Sequence, residues 1–202
     1  MNKTSCFLFF IFLLFGANAA WSVPIIQSQS SGAISIPLYS PVGQTFTALD
    51  PTLDTVGFKI YDQYGTGSHA PVLFTYTLFQ GAGFSGSVLG SASVLLPAGF
   101  NGYADASFHS LIVSVGQIYS LMISDPAGNY LVDWNQSADD NGPIAGRIDY
   151  TGGVAIDAGV LSPREDLTFH IYVPDSASTA LLLGGGFILL LVHKKRTGWG
   201  TL

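Results

Sequence analysis

Apolar and polar residues alternate along most of this chain. Val56, Phe58 and Ile60 alternate with Gly57 and Lys59. Val72, Phe74, Tyr76 and Leu78 face one way, and Thr75 and Thr77 the other. Tyr119, Leu121 and Ile123 form a further set, as do Tyr130, Val132 and Trp134. Near the end of the pattern, Leu167, Phe169, Ile171 and Val173 alternate with Thr168, His170 and Tyr172 in what reads as one strand. A period of two marks strands buried on one side. Turn signals separate the runs: Tyr64-Gly65-Thr66-Gly67, Pro97-Ala98-Gly99 and Asp125-Pro126-Ala127-Gly128. No stretch of helical spacing interrupts residues 23 to 172. The pattern predicts an all-β domain, an antiparallel β-sandwich of the jelly-roll kind, over residues 20–172.

The two ends break the alternation. Lys3 precedes an unbroken apolar run from Cys6 to Phe15, followed by Ala17-Asn18-Ala19. A run of 10 residues is too short for a helix that must span with about 20. The pattern is that of a signal peptide over residues 1–19, cleaved after Ala19. At the other end, Ala180 to Val192 carries no charge, and Lys194, Lys195 and Arg196 follow. At the rise of an α-helix this apolar run covers about 20 Å. With Ser176 to Thr179 added the length reaches about 26 Å, close to the bilayer core if the basic residues snorkel. A packed soluble helix would not carry Gly184-Gly185-Gly186 and lack a polar face. The expectation is a C-terminal transmembrane helix with its basic cluster, residues 193–196, in the cytoplasm and the body outside.

Charge sharpens this picture. Between residues 20 and 173 only Lys59, Arg147 and Arg164 are basic, against twelve acidic residues. Such a body repels phosphate backbones, which argues against nucleic acid as a partner. The one cysteine, Cys6, lies in the signal stretch. A mature chain without cysteine has no disulfide and no thiol nucleophile, which suits a bacterial rather than an animal exported domain.

Val173, Pro174, Asp175, Ser176, Ser178 and Thr179, with the apolar helix and basic cluster behind them, resemble the VPDSG-type variant of the PEP-CTERM sorting signals. The resemblance implies export, processing by an exosortase-like enzyme in the inner membrane, and delivery to the cell surface or extracellular polysaccharide matrix of a Gram-negative bacterium. Ala177 stands where the variant usually has glycine, and Thr197 to Leu202 follow the cluster where many members stop. A permanent single-span anchor is the alternative. Gly43-Gln44-Thr45-Phe46-Thr47-Ala48, Gly116-Gln117-Ile118-Tyr119-Ser120-Leu121 and the segment Asp166 to Val173 resemble a β-sandwich domain common in surface proteins with such tails, which again implies a jelly roll.

Candidate chemistry is sparse. Gly81-Ala82-Gly83-Phe84-Ser85-Gly86 fits GxGxxG, but a strand-like run follows where a dinucleotide site needs a helix, so a hairpin is expected. Asp133, Asn135, Ser137 and Asp139, with Asp140, have the alternate-residue spacing of a calcium loop. Ala138 and Ile144 occupy positions where such a loop wants glycine and a carboxylate, so a solvated acidic loop after a strand is the stronger reading. Trp134 could stack on a sugar ring, although its phase with Tyr130 and Val132 favours the core. Glu165 and Asp166, as strand neighbours, should point apart and so not form a catalytic pair. His69, His109 and His170 have no metal-ligand spacing, and His170 is expected on the polar face. The sequence therefore suggests a non-enzymatic surface protein with a structural or adhesive role. A carbohydrate-binding module is the alternative, and a glycosidase or lyase is less supported. No cofactor is required, with calcium the one candidate.

Overall fold

A computed structural model describes residues 24–65, 69–136, 138–139, 142–143 and 150–173. The expected signal peptide, the residues from Pro174 onward, Ser137 and Asp140 lie outside them, and Asp139 is described in its backbone alone. Every described element is a strand: β1 (Ile25–Gln27), β2 (Gly32–Ser35), β3 (Val42–Thr47), β4 (Thr52–Asp62), β5 (Val72–Gln80), β6 (Val88–Leu96), β7 (Asn101–Ile112), β8 (Ile118–Ser124), β9 (Tyr130–Gln136), β10 (Ala138–Asp139), β11 (Gly142–Pro143), β12 (Ala155–Asp157), β13 (Val160–Ser162), β14 (Glu165–Leu167) and β15 (Phe169–Tyr172). They form two large antiparallel sheets. The first contains β1, β15, β4, β9 and β14, with β7 beside β4 and β2 beside β9. The second runs β13-β12-β3-β8-β5-β6. A separate pair, β10 and β11, completes the set.

The alternation expected from the sequence places the core. Val56, Phe58 and Ile60 of the first sheet, and Phe74, Tyr76 and Leu78 of the second, are fully buried in one cluster. Rings meet from both sheets: Phe58 and Tyr76 at 5.3 Å, and Phe74 edge-on to Tyr130 at 5.0 Å. The Tyr76 hydroxyl donates a hydrogen bond to the Ala104 carbonyl at 2.8 Å. A buried phenol needs such a partner. Turns form at two of the three signalled places, Pro97-Ala98-Gly99 and Asp125-Pro126-Ala127-Gly128, while Thr66 and Gly67 of the remaining signal lie outside the described residues. Between β8 and β9, Asp125 accepts from the amides of Ala127, Gly128 and Tyr130. That satisfies donors a tight turn would leave bare. The GxGxxG segment is the β5–β6 hairpin loop, as expected. Gly81 and Gly83 take positive φ angles, and the Ser120 hydroxyl bridges the Gly81 carbonyl and the Gly83 amide. Glycine enters that backbone region without steric cost.

One part of the alternation is broken. The segment read as a single strand from Leu167 to Val173 is two, β14 and β15, divided at Thr168. β14 pairs with β9, β15 pairs with β4, and β4 pairs with β9, all antiparallel. Three straight neighbouring strands cannot all oppose one another, because two strands opposed to a third run together. The strands therefore splay from a junction where Lys59, Asp133 and Thr168 meet. The Lys59 amide donates to the Thr168 carbonyl at 3.0 Å, and the Thr168 amide to the Asp133 carbonyl at 2.9 Å. Thr168 changes partner there, so no ladder continues through it.

A second polar link joins the sheets. Gln44 of β3, fully buried, donates to the Asp166 carboxylate at 2.8 Å and accepts from the Leu167 amide at 2.8 Å. The Tyr150 amide also donates to Asp166, at 2.7 Å. Two of the segments singled out by resemblance, those holding Gln44 and Asp166, thus meet in the interior.

Candidate functional site

The outward phase of the first sheet carries the chemistry. On β4, Gly57, Lys59 and Tyr61 alternate with the core residues, and on β7 Tyr103 and Asp105 do the same. On β15 the outward residues are His170 and Tyr172. Register brings them together: Gly57 lies opposite both Asp105 and His170, and Lys59 opposite Tyr103. Gly57 is buried, and a Cβ built on it would fall 2.0 Å from Asp105 Oδ1 and 2.4 Å from His170 Nε2. The glycine is the gap through which His170 reaches across β4 to Asp105, at 2.8 Å from Nε2 to Oδ1.

His170 fills that gap between two tyrosines. Its ring centroid lies 4.5 Å from that of Tyr103, with planes at 33°, and 4.5 Å from that of Tyr172, with planes at 42°. Rings this close cannot lie side by side in one plane, so the three pack as a tilted aromatic column on the outward face of the sheet. His170 is buried, while Tyr103 and Tyr172 are 36% and 45% exposed. Each tyrosine thus keeps surface for a ligand. His170 is on the outward face, as expected from its phase, but it is covered rather than solvated.

Beside the column stands a charged cluster. Asp133, 1% exposed, meets the Lys59 ammonium at 3.0 Å and the Tyr61 hydroxyl at 3.0 Å, and accepts a hydrogen bond from the Ser30 hydroxyl. The Lys59 ammonium also lies 5.5 Å from the centre of the Tyr61 ring. Hydrogen bonding to Tyr61 and then to Asp133 holds the Lys59 pKa well above the usual lysine range. Burial raises the Tyr103 phenol, against the pull of the nearby Lys59 charge.

The expected acidic loop from Asp133 needs correction. Asp133, Trp134 and Asn135 belong to β9, and Asp133 and Asn135 are buried rather than solvated. The splayed junction explains this: Asp133 lies where three strands diverge, and side chains distant in sequence cover it. Its carboxylate is engaged by Lys59, Tyr61 and Ser30. Trp134 is half-buried against the core, its indole nitrogen 3.0 Å from where a Cβ on Gly32 would sit.

The chain matches no protein-family model and no curated protein.

The remaining expected sites are scattered. Asp166 turns into the Gln44 link, while Glu165, its neighbour, is half-buried and lies near Asp157. Burial raises the pKa of both Glu165 and Asp157. Val173, first residue of the expected sorting motif, lines a small apolar pocket with Ile25, Phe46, Leu53, Val113 and Ile171. Pro174, Asp175, Ser176, Ser178, Thr179, Lys194, Lys195 and Arg196 lie outside the described residues. Among the described residues no three His, Cys, Asp or Glu side chains gather as a metal site, and no helix is long and apolar enough to cross a membrane.

Sequence reasoning missed the aromatic column. Its signal was present: Tyr103, His170 and Tyr172 are aromatic rings on the outward phase of their strands, a face that the core does not require to be aromatic.

Proposed function

We propose that this chain is an exported surface or matrix protein whose body, a β-sandwich of the jelly-roll kind, adheres to extracellular polysaccharide through the outer face of the first sheet. The Tyr103–His170–Tyr172 column carries this reading. An aromatic face binds the C–H face of a sugar ring, and Asp105, Lys59 and the Tyr61 hydroxyl stand beside it as hydrogen-bonding partners for sugar hydroxyls. The shared use of apolar ring faces and a few convergent polar groups is what an orienting small-ligand site needs.

The test is binding of the full chain to a panel of bacterial and plant polysaccharides by affinity electrophoresis. Tyr103→Ala and Tyr172→Ala should each weaken retardation about tenfold, given about 1–1.5 kcal/mol per stacked ring. Leu73→Ala, on the second sheet, should leave it unchanged. A panel that retards nothing, or tyrosine variants that bind like wild type, sinks the adhesive reading at this face.

The route to the surface is the second half of the proposal. Residues 1–19 direct export, and Val173 to Arg196 act as a VPDSG-like sorting signal read by an exosortase-like membrane enzyme. The intact mass of protein recovered from its own cell surface decides this. A chain ending near Ser176 supports an address removed on arrival, whereas one retaining Arg196 makes the tail an anchor. Calcium remains the one candidate cofactor, and a melting temperature indifferent to a chelator would remove it.

A further inference from the structure

Sheets end in edge strands, and an edge offers its backbone N–H and C=O groups to any passing strand. The described edges of this protein are guarded, with one exception. β1, β13 and β14 have 3 residues each and β2 has 4. Strands so short make poor templates for a partner. β7 is long, at 12 residues, but its register with β4 breaks between Leu53 and Thr55. His109 and Ser110 there take φ angles of 53° and 61°. These kink the strand, and Asp105 adds charge.

β6 has none of these protections. Beyond a register shift at its start, where Leu78 pairs with Gly90 and Phe79 with Val88, it runs regularly to Leu96. It contains no proline and no charge, and no charged side chain lies anywhere between His69 and Asp105. Its outward face, with that of β5, is a hydroxyl array: Thr75 bonds Ser93 at 3.0 Å and Ser91 bonds Thr77 at 3.3 Å. Leu73 and Leu95, opposite one another, stand 55% and 62% exposed beside it.

The regular segment Gly90 to Leu96 is also self-complementary. Paired antiparallel with a second copy about Ser93, it sets Gly90 against Leu96 and Ala92 against Val94 on the core side. Small residues meet large ones in both pairs. On the outer side Ser93 meets Ser93, and Ser91 meets Leu95, so no charge is buried and the hydroxyl array continues across the axis. We propose that two copies of this chain pair β6 against β6 about a two-fold axis at Ser93, extending the second sheet through both. An isologous contact of this kind closes on itself and stops at two copies. It would leave the tyrosine columns on the first sheets of both copies uncovered, so that adhesion becomes bivalent.

Sedimentation velocity of the full chain in a mild detergent, over a range of concentrations, tests this. Wild type should show a reversible monomer–dimer equilibrium. Ser91→Lys with Ser93→Lys, both exposed positions, should raise the dissociation constant about tenfold or more by facing ammonium groups across the axis while leaving the melting temperature nearly unchanged. Equal amounts of Ser93→Lys and Ser93→Glu chains should dimerise together better than either alone. In a Cys6→Ser background, Ser93→Cys should cross-link two chains on mild oxidation, since directly opposed strand residues approach closely enough for a disulfide. A wild-type chain that stays monomeric overturns the proposal. So does association into open-ended species, or a dimer that ignores the lysines and fails to cross-link at position 93, which would assign association to another surface.

Discussion

Gly57→Ala is the substitution that most directly asks whether the tyrosine column depends on the gap beneath it. The φ of Gly57 is not positive, so alanine fits the backbone there, and the conflict lies only with side-chain ends. A Cβ would fall 2.0 Å from Asp105 Oδ1 and 2.4 Å from His170 Nε2, so His170 must leave its place. The Asp105–His170 hydrogen bond is lost. Because Asp105 is 51% exposed, that bond is worth about 1 kcal/mol. Two ring contacts go with it, about 0.5 kcal/mol each at the low end of their range because the tyrosines are partly in water. Against this, alanine narrows the unfolded ensemble and returns about 0.5–1 kcal/mol. The net cost is about 1–1.5 kcal/mol, a fall in melting temperature of roughly 3–5 °C. Circular dichroism melts measure the fall, and affinity electrophoresis on a retained polysaccharide measures the site. The expected result is a small loss of stability with a large loss of binding, because both tyrosines lose the ring that spaces them. A Gly57→Ala protein that melts at or above the wild-type temperature and binds as well would refute the view that His170 holds the column together.

Three further outcomes follow from the buried polar groups. Asp166→Ala strips the acceptor from the Gln44 amide and the Tyr150 N–H in a fully buried setting. It should cost about 3–5 kcal/mol in urea unfolding, with the slope unchanged, and a loss below about 1 kcal/mol would mean the link is not a structural one. Lys59→Met leaves Asp133 buried without its cation and should cost about 2–3 kcal/mol at neutral pH. Because the lysine pKa is raised in the fold, the contribution of the wild-type pair should be complete below about pH 10 and disappear as the pH climbs through the folded value, as pH-dependent unfolding would show. The Asp62–His69 pair, 2.9 Å apart, should give stability two limits. Burial pushes the Asp62 pKa up, but hydrogen bonds from the Gly99 and Tyr64 amides and from His69 outweigh it, so the net shift is down; His69 is raised by its bond to the Ala70 carbonyl and then by Asp62. The aspartate contribution is present above about pH 3.9 and lost as the pH falls through the lowered pKa, and the histidine contribution is present below about pH 6.5 and lost as the pH rises through the raised one. His69→Ala should flatten the upper limb in melts taken across that range, and an unchanged limb would exclude the pair as its cause.

What could be read from the sequence was what depends on neighbours along the chain. Val56, Phe58 and Ile60, or Phe74, Tyr76 and Leu78, declare their shared face through a period of two, and Asp125 declares its turn through the residues just after it. The junction at Thr168 could not be read this way. Its neighbours continue a perfect alternation, and the break arises because β4 and β9, both far from Thr168 along the chain, also pair with each other. The same geometry misdirected the reading of Asp133. An aspartate between valine and tryptophan, ahead of more acidic residues, looks like the start of a solvated loop unless one knows that Lys59, Tyr61 and Ser30 converge on it. Gly57 is the sharper case, since a glycine in a strand usually signals only weakness or a bulge. Here its meaning lies in what fills the missing volume, a histidine from β15 held by an aspartate from β7. Glycine at the outward phase of a central strand, with aromatic residues at the outward phase of its neighbours, is therefore a pattern to search for. It marks a place where a sheet has given up its own side chain so that one from another strand can stand between two rings.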